Sequence, residues 1–345
     1  MKKILGSLLQ IAVTIAVLYW VFHDPQKRAQ MAVALRAADY RWIVGAILFY
    51  LMVEVSAAIR WWILLKVQKI HLSMSRVSGL FLIGMFYNQF LPGGTGGDIM
   101  KSYLLLKETP GKATGALLAV VFDRMVGLVA LIAITGCLIA LRYDWLTQLQ
   151  ETRHLVWLLV AILGSAVLML VTSFVVSGAN LAHKLPQRFP ARDRLIELSA
   201  AYHLYAHHWR ATLAAFGVSI VAHLSTFATF LCVAYAFRAK VAVIDFFAIM
   251  PIERTISSLP ISFAGVGLRE KIFQIMLHGL CGVPEAVAVL IGSMSFLVML
   301  VSCAPGGIVY FFYKPSGQSG HVKLSEMRKE VASLEHEITE TEEGE

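Results

Sequence analysis

Charge is scarce in this 345-residue sequence: Asp, Glu, Lys and Arg make up 15% of it, against about a quarter in a soluble globule. With 58% hydrophobic residues, too little polar side chain remains to cover a water-soluble fold. Cysteine is scarce as well. Cys137, Cys232, Cys281 and Cys303 lie in or beside apolar runs without paired spacing, so they read as small packing residues, not disulfides or metal ligands. The glycine cluster at 93–97 lacks the lysine of a phosphate-binding P-loop; Asp98 stands in its place, and ATP binding has no support. His203 and His207 stand four apart in "AYHLYAHHW" without a further Cys, His or Asp cluster, so no metal and no cofactor is expected. The formal charge of +8 hides an acidic end. From Lys323 onward eight Glu face three basic residues, which leaves +13 on residues 1–322. Most of that excess lies in loops beside apolar runs, which fits membrane orientation and anionic lipid heads and speaks against nucleic acid as a partner.

What the sequence does have is long apolar runs. Spanning ~30 Å of hydrocarbon takes ~20 residues. Ile4–Phe22, Trp42–Leu65, Ala113–Leu141, Leu155–Ser177, Ala211–Phe237 and Val283–Tyr313 all qualify. The expected fold is an all-α polytopic membrane protein with about six full transmembrane helices, divided into a membrane domain, 1–313, and an acidic cytoplasmic tail, 314–345. Ile4–Phe22 follows Lys2 and Lys3 but is longer than the roughly 7–15 residues of a signal-peptide core and lacks a cleavage site, so it reads as a retained anchor. The basic loop 178–210 belongs in the cytoplasm by the positive-inside rule, and Lys2, Lys3 and the acidic tail are placed there as well, so both termini are expected to be cytoplasmic.

Two apolar segments are too short for this pattern. Val77–Leu91 is 15 residues, about 22 Å as a helix, and both of its flanks count as cytoplasmic. The segment 243–282 begins and ends on the outer side. Each is read as a re-entrant hairpin, 77–112 and 243–282, turning at a Pro/Gly break. The first break reads "NQFLPGGTGGD", with Asn88, Pro92, Gly93, Gly94, Gly96, Gly97 and Asp98. The second reads "SLPISFAGVGLRE", with Pro260, Gly265 and Gly267. One hairpin entering from each side is the arrangement of an inverted repeat, which places a substrate site near the midplane between broken helices. The plainer reading, two kinked helices, leaves unexplained why charges flank both breaks.

Ionisable groups inside spans are costly and mark candidate sites. They are Glu54 and Arg60, Asp123 and Arg124, Glu253 and Arg254, Arg269 and Glu270. Arg60, Arg124, Arg254 and Arg269 suit an anionic head group, because a guanidinium forks onto phosphate and does not deprotonate. Glu54, Asp123, Glu253 and Glu270 would balance them or carry a coupled proton; structural ion pairing between helices is the plainer alternative. Neighbours on a helix diverge by about 100°, so Asp123 and Arg124 should each find a partner elsewhere. Asp98 and Lys101 read as gate or anchor residues at the cytoplasmic mouth, and His223 as a hydrogen-bonded core histidine. Leu195, Leu198, Tyr202, Tyr205 and Trp209 recur at helical spacing, as in a helix lying on the inner leaflet. Leu324, Met327, Val331, Leu334 and Ile338 repeat in steps of three and four over about two heptads, a short partner-docking pattern within 323–345.

"NQFLPGGTGGD", "DRMVGL" and "ERTISSLPISFAGVGLRE" together resemble the signature stretches of the lysylphosphatidylglycerol synthase transmembrane-region family, the flippase-like integral membrane proteins. The resemblance covers roughly residues 4–313. It implies a multi-pass protein of a bacterial or archaeal inner membrane, the bacterial one expected here, associated with moving a lipid between leaflets: an anionic phospholipid, an aminoacyl-lipid, a hopanoid or a polyprenyl-type lipid. Some relatives carry a soluble C-terminal domain that aminoacylates phosphatidylglycerol. About thirty residues follow Tyr313 here, so a stand-alone translocator rather than an enzyme is expected. The alternatives are a membrane-embedded enzyme acting on a lipid head group and a non-catalytic partner of a lipid or glycan enzyme.

Overall fold

The computed structural model describes residues 25–90, 96–178, 199, 202–259 and 262–314. Among them there is helix and no strand. In chain order the helices are α1 (Pro25–Arg36), α2 (Tyr40–Val67), α3 (Met74–Phe90), α4 (Gly96–Glu108), α5 (Ala113–Leu146), α6 (Gln150–Gly178), α7 (Trp209–Ala236), α8 (Val243–Ser257), α9 (Leu268–Phe273) and α10 (Glu285–Phe312). A π turn, Gln274–His278, carries α9 on toward Cys281. Five helices, α2, α5, α6, α7 and α10, are long and apolar enough to cross a membrane, and they coincide with five of the six apolar runs. The sixth run, Ile4–Phe22, lies outside the described residues, as do residues 179–198 of the basic loop and the tail from 315 on. α1 lies between two of the apolar runs, and Lys27 on it pairs with Glu285 at 2.7 Å.

α2 starts at Asp39, whose carboxylate accepts from the Arg41 amide at 3.1 Å, and it stops where Lys69 turns left-handed at φ 57°. Its buried stripe includes Ala46, Tyr50, Glu54, Ala57, Ala58 and Trp61, in steps of three and four, and packs along α7. The α7 face is small and hydroxylic: Ala215, Ser219, Ala222, Thr226 and Thr229. Small residues let helix backbones approach closely where no hydrophobic effect drives them together. The outward residues of α2 and α6, such as Leu48, Met52, Leu168 and Met169, are apolar and exposed, the composition of a lipid-facing surface.

Two helix–break–helix units fill the space between the spans. In the first, α3 and α4 lie antiparallel, because Gly84 meets Gly97 near the break and Arg76 meets Glu108 at the far end at 3.1 Å. A Cβ on Gly97 would stand 1.9 Å from the Gly84 carbonyl oxygen, so the two limbs touch backbone to backbone and only glycine fits. Asn88 Oδ1 accepts from the Gly97 amide at 2.8 Å and satisfies a donor that the start of α4 would otherwise leave open. The second unit folds α8 onto α9. Gly265, at φ +74°, would place a Cβ 2.8 Å from the Ser257 carbonyl oxygen, and the Gly267 amide donates to Glu270 Oε2 at 2.6 Å. Pro92, Gly93, Gly94 and Pro260 lie outside the described residues.

α10 backs both units. A Cβ on Gly292 would stand 3.2 Å from Glu270 Cα, and one on Gly306 would stand 2.1 Å from the Leu82 carbonyl oxygen. The tyrosine stripe differs from its sequence reading. Tyr205 is buried, stacked on Phe122 with ring centroids 4.1 Å apart, and its hydroxyl donates to the Leu64 carbonyl at 3.2 Å. Tyr202 meets the same Phe122 edge-on. These two rings face protein, because the space over Phe122 between α2 and α5 needs large flat side chains, and Trp209 alone of the described members is exposed. Leu195 and Leu198 lie outside the described residues.

Candidate functional site

The two breaks converge on one cavity of about 410 Å³, within the ~300–1,000 Å³ range of small-molecule sites. The first unit contributes Asn88, Gln89, Gly97, Asp98 and Lys101 to its lining. The second contributes Arg254, Ser257, Ser258, Ser262, Gly265 and Arg269. Tyr50 and Arg60 of α2, Asp123 and Arg124 of α5, and His223 and Thr226 of α7 complete the polar wall. All four arginines singled out in the sequence therefore line a single space, although they are up to 209 residues apart. Glu54, Glu253, Glu270, Gly96 and Gly267 do not belong to that lining.

The charges pair in a pattern that local spacing does not give. Arg60 Nε donates to Asp123 Oδ1 at 2.8 Å, and Lys101 Nζ donates to Asp123 Oδ2 at 3.2 Å. One buried carboxylate thus holds two cations from α2 and α4. Arg60 also donates to Ser219 Oγ at 3.3 Å, and Lys101 lies 4.4 Å from the centre of the Trp61 ring. Arg124, one residue on, points elsewhere and pairs with Asp98 at 2.7 Å. Asp123 and Arg124 diverge as helix geometry requires. Lys101, read from sequence as a residue of the mouth, is instead almost fully buried, because the Gly84–Gly97 contact draws α4 inward.

The glycine of "DRMVGL" belongs to the same arrangement. A Cβ on Gly127 would stand 3.0 Å from Arg60 Nη1, so glycine lets the guanidinium lie flat along α5. The carbonyl of Gly127 is also hydrogen-bonded to His223 Nε2 at 3.0 Å, which makes His223 a hydrogen-bonded core histidine lining the cavity.

The second break is different. Arg269 Nε donates to Glu253 Oε1 at 3.1 Å and its Nη2 donates to the Ala264 carbonyl at 3.3 Å. Arg254 has no carboxylate within ion-pair distance among the described residues; its guanidinium carbon lies 5.9 Å from the centre of the Phe230 ring. Glu270 spends one oxygen on the Gly267 amide and the other on the Ser293 hydroxyl. Glu54 is buried beside Cys303 and Tyr50 without a cationic partner among the described residues. Four acids and four arginines do not cancel one for one: Asp98 and Lys101 join the network, and Arg254 has no carboxylate against it among the described residues.

Sequence reasoning passed over Ser257, Ser258 and Ser262 in "ISSLPIS". Serines in helical stretches so often bond back to their own backbone that nothing in the string separates these three from the rest. Gln89, also in the lining, follows Asn88 in the first break motif.

An all-helical, multi-pass membrane protein with a basic polar cavity between two broken-helix units is the class that this fold and site define. Within that class the chain belongs to the family described as the lysylphosphatidylglycerol synthase TM region, whose model matches residues 7–307. A UPF0104 membrane protein of Pyrococcus horikoshii is 28% identical over 134 residues, a stretch that covers 38% of this chain and 38% of the relative.

Proposed function

We propose that this protein moves a lipid with an anionic head group between membrane leaflets through the cavity between its two breaks. One observation carries the reading: five basic side chains, Arg60, Lys101, Arg124, Arg254 and Arg269, line the cavity, and only three carboxylates, Asp98 and Asp123 in the lining and Glu253 behind Arg269, pair with them among the described residues. A cavity whose cations outnumber the carboxylates that pair with them is suited to an anion, which would complete the pairing. Family membership supports a lipid as the source of that anion.

In this reading the units 77–112 and 243–282 are re-entrant hairpins of an inverted repeat. The lengths support it, since α3 and α4, 17 and 13 residues, reach only about 25 and 20 Å as helices. Both breaks would then meet near the midplane, where irregular backbone is tolerated because it lines a polar space. The termini would be cytoplasmic and the membrane the plasma membrane. No covalent chemistry is required of the protein.

The test is transfer of fluorescent phosphatidylglycerol between leaflets of proteoliposomes. Arg254→Gln and Arg269→Gln should each slow transfer about tenfold or more, since each removes charge-assisted bonds to the head group. Wild-type rates in both variants would overturn the reading. Recovery of a chemically altered lipid would replace it with a membrane-embedded enzyme.

A further inference from the structure

Native folds seldom bury a donor without a partner, because such a group gives up its bonds to water and gains none in return. Among the described residues, ten buried side-chain polar atoms have none. Three of them cluster at the second break on residues that line the cavity: Ser257 Oγ, Ser262 Oγ and Arg269 Nη1. All three are donors. The backbone around them is drawn together: a Cβ on Gly265 would stand 2.8 Å from the Ser257 carbonyl and 3.4 Å from Arg269 Nη2. Arg254, unneutralised, faces the same ring as Arg269, each guanidinium carbon 5.9 Å from the centre of Phe230. At the first break every cation is held: Arg60 and Lys101 on Asp123, Arg124 on Asp98. The cavity is therefore polarised. At one end each cation has a carboxylate, three cations sharing two, and at the other Arg269 is held by Glu253 while Arg254 and three buried donors stay without a partner among the described residues.

We propose that the second break is a phosphate-group subsite, in which Arg254, Arg269, Ser257 and Ser262 together hold one phosphate, while the paired charges of the first break face the rest of the head group. The tetrahedral oxygens of a phosphate take several donors at once, and a guanidinium beside hydroxyls supplies them in that form. The lipid character of the ligand rests on the function proposed above; the phosphate chemistry stands apart from it.

The experiment is binding to the purified full chain in detergent, followed by intrinsic tryptophan fluorescence. Three probes are used: dihexanoyl phosphatidylglycerol, its phosphate-free counterpart dihexanoylglycerol, and inorganic phosphate. The phosphate-bearing lipid should bind wild type at least about tenfold more tightly than the phosphate-free one. The Ser257→Ala/Ser262→Ala double variant should weaken it about tenfold, and Arg269→Lys, which keeps the charge but loses the fork, should weaken it similarly. Neither change should alter affinity for dihexanoylglycerol. Unchanged affinity for the phosphate-bearing lipid, or equal loss for both lipids, overturns the subsite.

If the double variant does not elute as a single folded peak, Arg254→Lys at a partly exposed position carries the same comparison with the same two outcomes. Saturable binding of inorganic phosphate without preference for the lipid supports the subsite and removes the lipid. Intact leaflet transfer in variants that have lost no phosphate affinity removes the subsite and leaves translocation standing.

Discussion

Gly97 and Gly136 show what one methyl group costs at two places in the same membrane domain. At Gly97 a Cβ would lie 1.9 Å from the Gly84 carbonyl oxygen, whereas at Gly136 nothing stands within 4 Å. Gly97→Ala should therefore destabilise the purified protein by about 1–3 kcal/mol or more through overpacking. Gly136→Ala should be neutral or stabilise by about 0.5–1 kcal/mol through helix propensity. Thermal unfolding in detergent compares the two, and equal melting temperatures would refute the close contact of α3 and α4.

Tyr205 supplies a pH-dependent case. Burial pushes its phenol up to about 12, against an ordinary value of 10.0. An acid whose folded value is raised favours the folded state fully below the unfolded value, and the benefit is lost as pH rises from about 10 through about 12. Wild type should thus lose stability from about pH 10 toward about pH 12 more steeply than Tyr205→Phe, which has no proton to release; parallel profiles would show that the ring is not buried.

At the scale of elements, the network around Asp123 ties three helices. Its carboxylate binds Arg60 of α2 and Lys101 of α4 from a position on α5. Removing one partner of a buried pair costs about 3–5 kcal/mol, because the other charges are left uncompensated. Asp123→Asn should show that loss in thermal unfolding. Arg124→Gln breaks a pair whose arginine is 54% exposed and should cost under about 1 kcal/mol. The two residues are adjacent, so their separation in effect is a direct measure of burial; similar losses would contradict the inward placement of α4. The five long helices were legible as runs of about twenty apolar residues, and both breaks as Leu-Pro followed by glycines. The inward position of Lys101 was not legible. It follows from a glycine-to-glycine contact between α3 and α4, and the sequence shows glycines there without showing which backbone each one meets.

For the whole molecule, the proposed translocator keeps its machinery within the membrane domain. Deleting Lys323–Glu345 should leave phosphatidylglycerol transfer unchanged in proteoliposomes, whereas a protein that acts by recruiting a partner through those residues would fail in cells while its membrane domain stays folded. Loss of transfer in the purified truncated protein would place part of the machinery in the tail.

By itself the sequence determined the class: its apolar runs admit only a helical membrane protein, and five of the eight intramembrane charges it singles out, Arg60, Asp123, Arg124, Arg254 and Arg269, line the cavity. Their partners were decided by tertiary structure alone. Arg60 takes Asp123 across 63 residues, and Arg269 takes Glu253 across 16, while Glu54 and Arg254 remain without an opposite charge among the described residues. The reason is physical. Periodicity reports which face of a helix is apolar, but the worth of a buried charge depends on what stands within a few ångströms of it, and only packing sets that distance.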